Sequence, residues 1–295
     1  MGNTSKVKRR TTKTFTHVKG ALDQFFFDTD KLQNDPIFGI GLESGFTSLN
    51  QLLVGKDTPY FSIISVPEKN WTTAFGSSLI AELSIRFNQS IGYFSLSVSS
   101  SYFTGVLLSI VADVDPHLMR SGRLPSERWP DLSTASKNLV ESEIYVDDAR
   151  PLTMKAFHKR AHKMMKKSKI DLFVIDSLQF ISCKKYHRNK ARNYQKICQS
   201  LKDISEELNV SILLLSEFSG EYNTDEIDAG NDCQSLPFLK DFGKVPDAEL
   251  VLISGKRNKG DRLFSLHLCR NREGPTGVVK LRQNLITSGF NNRNC

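Results

Sequence analysis

No C-x-x-C pair occurs anywhere in this sequence. Its five cysteines, Cys183, Cys198, Cys233, Cys269 and Cys295, are scattered and odd in number. That argues against a disulfide framework and against a structural zinc site, and it fits reduced thiols in a cytoplasmic protein. No apolar run approaches the ~20 residues that a membrane-spanning helix needs. The opening stretch, MGNTSKVKRRTTKT, is polar and basic, which is not the pattern of a secretory leader. Lys6 stands at the Ser/Thr position of an N-myristoylation site, so that modification is not expected. No internal repeat is present, which excludes solenoids and propellers.

The 295 residues are 39% apolar, enough for one large domain or two modest ones. The net charge is +8 with a pI near 9.2, which favours a polyanionic partner. Basic residues cluster at Lys6–Lys13, Lys155–Lys169 and Lys184–Lys196, and acidic residues at Glu217–Asp232. A charge run is often no more than a solvated face, so position has to decide its meaning. Residues 1–13 read as a disordered basic arm, having no apolar period. Residues 14–36 read as a linker-like helix: Val18, Leu22, Phe25 and Phe26 recur at helical spacing, and Asn34-Asp35-Pro36 breaks it. Residues 37–295 read as one α/β domain.

From Tyr60 onward, apolar strands alternate with amphipathic helices. The strands are expected at Tyr60–Val66, Ile91–Leu96, Ser142–Val146, Leu172–Asp176, Ser211–Leu215, Glu249–Gly255, Phe264–Cys269 and Gly277–Leu281. The helices are expected at Thr72–Phe87, Ser101–Val111, His117–Arg123, Pro125–Glu141, Thr153–Lys167 and Tyr194–Leu208. Such alternation predicts a mostly parallel central sheet with helices on both faces. The late strands follow one another closely, which predicts antiparallel pairing near the C-terminus.

One stretch organises the rest. FSIISVPEKNWTTAFGSSLIA, Phe61 to Ala81, reads as a strand, a turn from Ser65 to Thr72, and a helix. A phosphate-binding loop would sit in such a turn. It needs glycines to let backbone N–H groups close on phosphate, a Lys for charge, and a Ser or Thr for Mg²⁺. The turn has no glycine, Trp71 stands at the Lys position, and Thr72 stands at the hydroxyl position. Asp176 ends the buried strand LFVIDSLQF, where a carboxylate commonly holds a metal-bound water beside a phosphate site. A second buried strand, ILLLSEFSG, ends in Ser216 and Glu217. These strand ends are expected along one edge of the sheet.

The ordered segments LESGFTSLNQL, FSIISVPEKNWTTA, IGYFSLSVS, SGRLPSERWPDLSTA, IYVDDARPLT, LFVIDSLQF, QSLKDISEELNVSILLLSEFS, LPFLKDF, VPDAELVLI and CRNREGPTGVVKL resemble the C-terminal motor domain of the DnaB-type replicative helicases. The resemblance runs from about Gly39 to Phe290 and implies a RecA-like fold. It likens residues 14–32 to the linker helix that packs on a neighbouring subunit of the family's hexameric ring. Carried over residue by residue, the phosphate loop's Gly-Lys-Thr falls on Asn70, Trp71 and Thr72. The catalytic Glu falls on Ser97, the metal-linked Asp is kept as Asp176, and the γ-phosphate-sensing Gln falls on Glu217. The lysine and arginine that reach a neighbour's site fall on Arg270 and Arg272. The segment facing the DNA channel is CKKYHRNKARNYQK, with Lys184, Lys185, Arg188, Lys190, Arg192 and Lys196 interleaved with Tyr186 and Tyr194. Basic residues there would grip phosphates and the tyrosines would stack on bases.

With catalytic positions changed at Trp71, Ser97 and Glu217, the resemblance implies a helicase-like protein of DNA replication that is ATPase-deficient. It would bind single-stranded DNA, a helicase ring, or both, in a bacterium, plasmid or phage. No cofactor is firmly expected; Mg-ATP would be held by Thr72 and Asp176 if the altered loop still accepts it. Two alternatives stay open: an active ATP-dependent helicase with a non-standard phosphate loop, and a purely protein-interacting regulatory subunit. A homo-oligomer, or a hetero-assembly with a replicative helicase, is expected as the assembly. A membrane partner is not expected.

Overall fold

The structure is a computed structural model. It describes residues 18–20, 22, 23, 26, 61–66, 69–182, 189–217, 242, 248, 250–254, 263–271, 276–284, 286, 287 and 289–291. The chain divides into two units, Met1–Gly39 and Ile40–Cys295. In the first, the described residues are helical, and Val18, Leu22 and Phe26 are exposed along one face at intervals of four. No helix among the described residues is long and apolar enough to cross a membrane.

The second unit is built on a nine-stranded sheet in the order β3-β2-β4-β5-β1-β6-β7-β8-β9. Its strands are β1 (Phe61–Val66), β2 (Ile91–Ser95), β3 (Ile144–Asp147), β4 (Leu172–Asp176), β5 (Ser211–Glu217), β6 (Leu250–Ser254), β7 (Leu263–Asn271), β8 (Gly277–Gln283) and β9 (Phe290–Asn291). Strands β1 to β6 run parallel, and β7 to β9 complete the sheet antiparallel. The helices are α1 (Lys69–Ala81), α2 (Ser100–Ala112), α3 (Pro116–Arg120), α4 (Trp129–Glu141), α5 (Met154–Met165) and α6 (Lys190–Leu208).

Strand parity explains how the sheet carries two cores. Successive side chains in a strand point to opposite faces. In β4, Leu172 and Val174 join the cluster that holds Phe75 and Leu79 of α1 and Phe103 and Leu107 of α2. Phe173 and Ile175 join the opposite cluster, with Phe157 of α5 and Ile197 and Leu201 of α6. Strand β5 divides in the same way, with Leu213 and Leu215 on the first face and Ile212 and Leu214 on the second. A strand buried on both faces has to be apolar throughout, which is why these segments are unbroken runs rather than alternating ones. Burying each such side chain contributes about 1.5–3 kcal/mol.

Element boundaries differ from the sequence-based expectation in informative places. The turn expected to run from Ser65 to Thr72 is much shorter. Ser65 and Val66 still pair with Ser216 and Glu217 of β5, and the helix has begun by Lys69. Trp71 and Thr72 therefore lie within α1. The helix expected over Thr72–Phe87 changes to π-helical turns at Glu82–Arg86. The helix expected over Pro125–Glu141 starts as a 3-10 turn, Ser126–Arg128, before α4, with Pro130 in its first turn, where a missing N–H costs nothing. Helix α6 begins at Lys190 rather than Tyr194, because the Asn189 side chain accepts the Arg192 N–H at 2.9 Å and caps an earlier start. The 3-10 turn Leu178–Phe180 and the short β9 carry no sequence signal of their own.

Gly92 shows how closely β2 is packed. A Cβ on it would meet the Phe173 ring of β4 at 2.4 Å, and the two residues are paired in register. Gly92→Ala is expected to destabilise the fold by about 1–3 kcal/mol through overpacking, measured as a lower urea midpoint with an unchanged m-value.

Candidate functional site

The C-terminal ends of the parallel strands lie along one edge of the sheet. Register places Ser95 of β2 beside Asp176 of β4, Asp176 beside Leu215 of β5, and Val66 of β1 beside Glu217 of β5. The chain leaves β1, crosses to β2 and β3, and returns to fill β4 and β5 between them. Ligands of open α/β sheets bind beyond the strand ends at such a reversal.

Asp176 is at the centre of this edge and fully buried. It shares a parity with Leu172 and Val174, so its side chain faces the layer of α1 and α2. There its Oδ2 accepts three hydroxyls. Thr73 Oγ1 donates from α1 at 2.7 Å, Tyr93 OH from β2 at 2.7 Å, and Ser97 Oγ from the turn after β2 at 3.2 Å. Thr73 and Ser97 are themselves 3.4 Å apart. The Asp176 carbonyl accepts the Leu96 and Ser97 N–H groups at 2.6 and 3.2 Å, which ties the turn after β2 to the end of β4.

Tyr93 is fully buried and its ring stacks on Phe103 of α2 at 4.0 Å between centroids. Burial, then the neighbouring Asp176 charge and the hydrogen bond to it, hold the phenol well above its ordinary range. It therefore stays protonated and donates. The start of α2 is fixed separately. Ser99 Oγ accepts the Tyr102 N–H at 3.3 Å, and Asp148 Oδ2 accepts the Ser100 N–H at 2.7 Å. That N–H holds the Asp148 carboxyl below its usual range.

The structure brings together two of the residues singled out from sequence, Ser97 and Asp176, with Thr73 beside the expected Thr72. Thr72 is buried in α1, and Thr73, one position on, makes the bond to Asp176. Trp71 is half-buried in the first turn of α1 and packs against the apolar cluster on that face. Glu217 ends β5. Its Oε1 accepts Ser177 Oγ at 3.4 Å, and its N–H donates to Gln179 Oε1 at 3.2 Å. Gln179 Nε2 returns a bond to the Glu217 carbonyl and another, at 3.1 Å, to Ser216 Oγ. Arg270 lies on β7 opposite Val251 of β6. Arg272, Lys184, Lys185, Tyr186 and Arg188 lie outside the described residues.

Lys190, Arg192 and Lys196 are exposed on the first two turns of α6. Tyr194, between them, does not match its expected role as a base-stacking platform. It is buried, its ring centroid is 5.3 Å from that of Phe242, and Lys190 Nζ lies 5.4 Å from its centroid. The helical period turns Tyr194 inward with Ile197, Cys198 and Leu201, while its charged neighbours stay outside.

Thr73 and Tyr93 are the site residues that sequence reasoning missed. Thr73 is hidden behind Thr72 in a doubled pair. Tyr93 carries the one side-chain hydroxyl within the apolar run IGYF, a usable signal. Its partner, however, sits on a strand that follows about eighty residues later.

A parallel sheet whose reversal edge gathers a strand–turn–helix entry and a buried acid at the end of β4 defines a RecA-like fold. The family model for the DnaB-like helicase C terminal domain matches residues 41–292, and the chain belongs to that family. The replicative DNA helicase DnaB of Rickettsia typhi is 26% identical over 314 aligned positions, covering 95% of this chain and 62% of the relative. The replicative DNA helicase DnaC of Bacillus subtilis is 24% identical, with 93% and 61% covered. The chain thus spans about three-fifths of the length of these curated relatives. Among solved structures, an isolated ATPase domain superposes with a TM-score of 0.81 at 19% identity, covering 95% of this chain and 100% of that one. A DnaB-like replicative helicase, whose structure was described with its interactions with primase, gives 0.77 at 19% identity and covers 95% of this chain and 68% of that one. At these identities the two likenesses establish the fold.

The bond from Tyr93 to Asp176 is a hydrogen bond to a buried carboxyl group. Tyr93→Phe is expected to lower stability by about 1.5–3 kcal/mol, read from urea denaturation. The loss should shrink when Asp176→Asn is already present, because the two positions share one interaction.

Proposed function

We propose that this chain is a helicase-like component of DNA replication that does not turn over ATP and acts by holding single-stranded DNA, a helicase ring, or both. The observation that carries this reading is the engagement of Asp176. Its Oδ2 already accepts three hydroxyls, more donors than the two lone pairs of one oxygen. Mg²⁺ demands near-ideal octahedral oxygen geometry and is usually held through one or two carboxylates, waters and substrate phosphates. A metal-bound water could reach Oδ2 only by displacing these hydroxyls.

The surrounding changes act in the same direction. Trp71 brings no positive charge to the β- and γ-phosphates, and such a clamp is worth several kcal/mol of transition-state stabilisation. Ser97 has no basic group with which to activate water at neutral pH. Glu217 places a negative charge where an anion would sit. Together these changes weaken the edge as a Mg-ATP site, and no hydrolytic step is assigned to it.

The family relationship and the names of the relatives, which are replicative helicases, support a place in replication. The exposed Lys190, Arg192 and Lys196 support contact with a phosphate backbone, continued by Lys184, Lys185 and Arg188 immediately before them in sequence. Arg270 and Arg272 would be offered to the nucleotide site of an active neighbour in a ring, so a subunit without its own turnover would still contribute there.

Steady-state ATP turnover in the presence of single-stranded DNA should be indistinguishable from background, and Trp71→Lys alone should not restore it, because Ser97 and Glu217 are unchanged. Turnover that Asp176→Ala abolishes would overturn the reading. Single-strand binding followed by anisotropy should weaken when Lys184, Lys185 and Arg188 become Ala. The slope of log Kobs against log salt should fall by about 2, at roughly 0.7 per lost single-strand contact. A chain with no single-strand affinity at low salt would act through protein contacts alone.

A further inference from the structure

Helix α5 presents a basic stripe that the nucleotide-type edge and α6 do not account for. Lys155, Lys159, Lys163 and Lys166 recur every four, four and three residues, with His162 between them, and all five are exposed. On a helix this spacing puts them on one face. The opposite face carries Phe157 and Ala161 into the core. From Lys155 to Lys166 the stripe extends ~16 Å at 1.5 Å per residue.

The described carboxylates around the helix do not neutralise the stripe. Helix α5 contains no acidic residue. Glu207 pairs with His158 at 3.0 Å, Asp147 with Arg160 at 3.2 Å and Asp171 with Lys169 at 3.0 Å, and none of these basic partners belongs to the stripe. Local helix stability does not account for it either. The dipole favours Lys163 and Lys166 at the end of the helix but disfavours Lys155 in its first turn. The like-charge pairs 155/159 and 159/163 are each spaced i,i+4, which works against the helix. Lys155 and the like-charge pairs are kept at a local cost, and that points to a partner.

We infer that the exposed face of α5 is a binding surface for the phosphate backbone of double-stranded nucleic acid. The length and the chemistry both select this partner. Over ~16 Å of axis one strand of a duplex carries about five phosphates, comparable to the stripe's own charges. No Phe, Tyr or Trp lies on this face, so it lacks the large stacking platforms that unpaired bases use. It reads backbone charge, not sequence. This surface is independent of the single-strand reading given to residues 184–196, and it is tested by different residues and a different probe.

The test uses the full chain and fluorescence anisotropy at low salt, with a labelled duplex and the same labelled strand alone. The quadruple variant Lys155→Ala, Lys159→Ala, Lys163→Ala and Lys166→Ala is expected to lose duplex affinity by about 10-fold or more, with the salt slope reduced by roughly 3–4. Its single-strand affinity should stay within about 2-fold of the parent, since a duplex-backbone surface supplies none of the stacking that single strands use. The matching quadruple Lys→Arg variant should retain duplex binding, which separates lost charge from a damaged helix. The inference is overturned if the parent chain does not bind duplex at low salt, or if the alanine variant binds duplex as the parent does. Loss of single-strand affinity by the same factor also overturns it. So does tighter binding of poly-glutamate than of duplex at equal charge, which would make the partner an acidic protein.

Discussion

Strand parity within a sheet buried on both faces is the constraint on which the rest of this molecule depends. Because β4 is covered by α1 and α2 on one side and by α5 and α6 on the other, alternate residues of LFVID enter two different cores. Asp176 completes the series that faces α1. A shift of one residue in the register of β4 would turn the carboxylate to the opposite core, away from Thr73, Tyr93 and Ser97. The hydroxyl cluster is thus a consequence of how the sheet is packed, and in return it links α1, β2 and β4 at the edge where the chain reverses.

That cluster also satisfies much of the edge from within the chain. Here the buried carboxylate accepts hydrogen bonds from neutral neighbours within the same chain. Burying a carboxylate without such partners would be strongly unfavourable, so their arrangement is what lets Asp176 remain in a closed interior. The Gln179–Glu217–Ser216 network ties down the adjacent end of β5 in the same way. The edge keeps the geometry of its fold while these polar groups bond one another.

Charge outside the sheet divides into two basic surfaces with different companions. Along α6 the cations flank Tyr194, which the helical period turns into the core and which holds Lys190 over its ring. Along α5, Lys155, Lys159, Lys163 and Lys166 stand without a Phe, Tyr or Trp on their face and without described counter-charges. Both helices pack on the same face of the sheet, so one layer of the fold carries most of the excess positive charge among the described residues.

Most strands and helices were legible in the sequence, because double-sided burial leaves long apolar runs and helices leave a 3.6-residue period. The boundaries that moved did so where one side chain decided them: the Asn189 cap lengthened α6, and Pro130 set the start of α4. The Asp176 strand end was legible as well, since an acid closing an apolar run stands out. What sequence alone determined was most of the elements, their order, and the changed residue types at Trp71, Ser97 and Glu217. Tertiary structure alone decided that Thr73 and Tyr93 close on Asp176, and that Tyr194 faces inward. The reason is that β2 and β4 are neighbours in the sheet though separated in the chain by β3 and five helical segments, and no local pattern encodes which hydroxyl a distant carboxylate will meet.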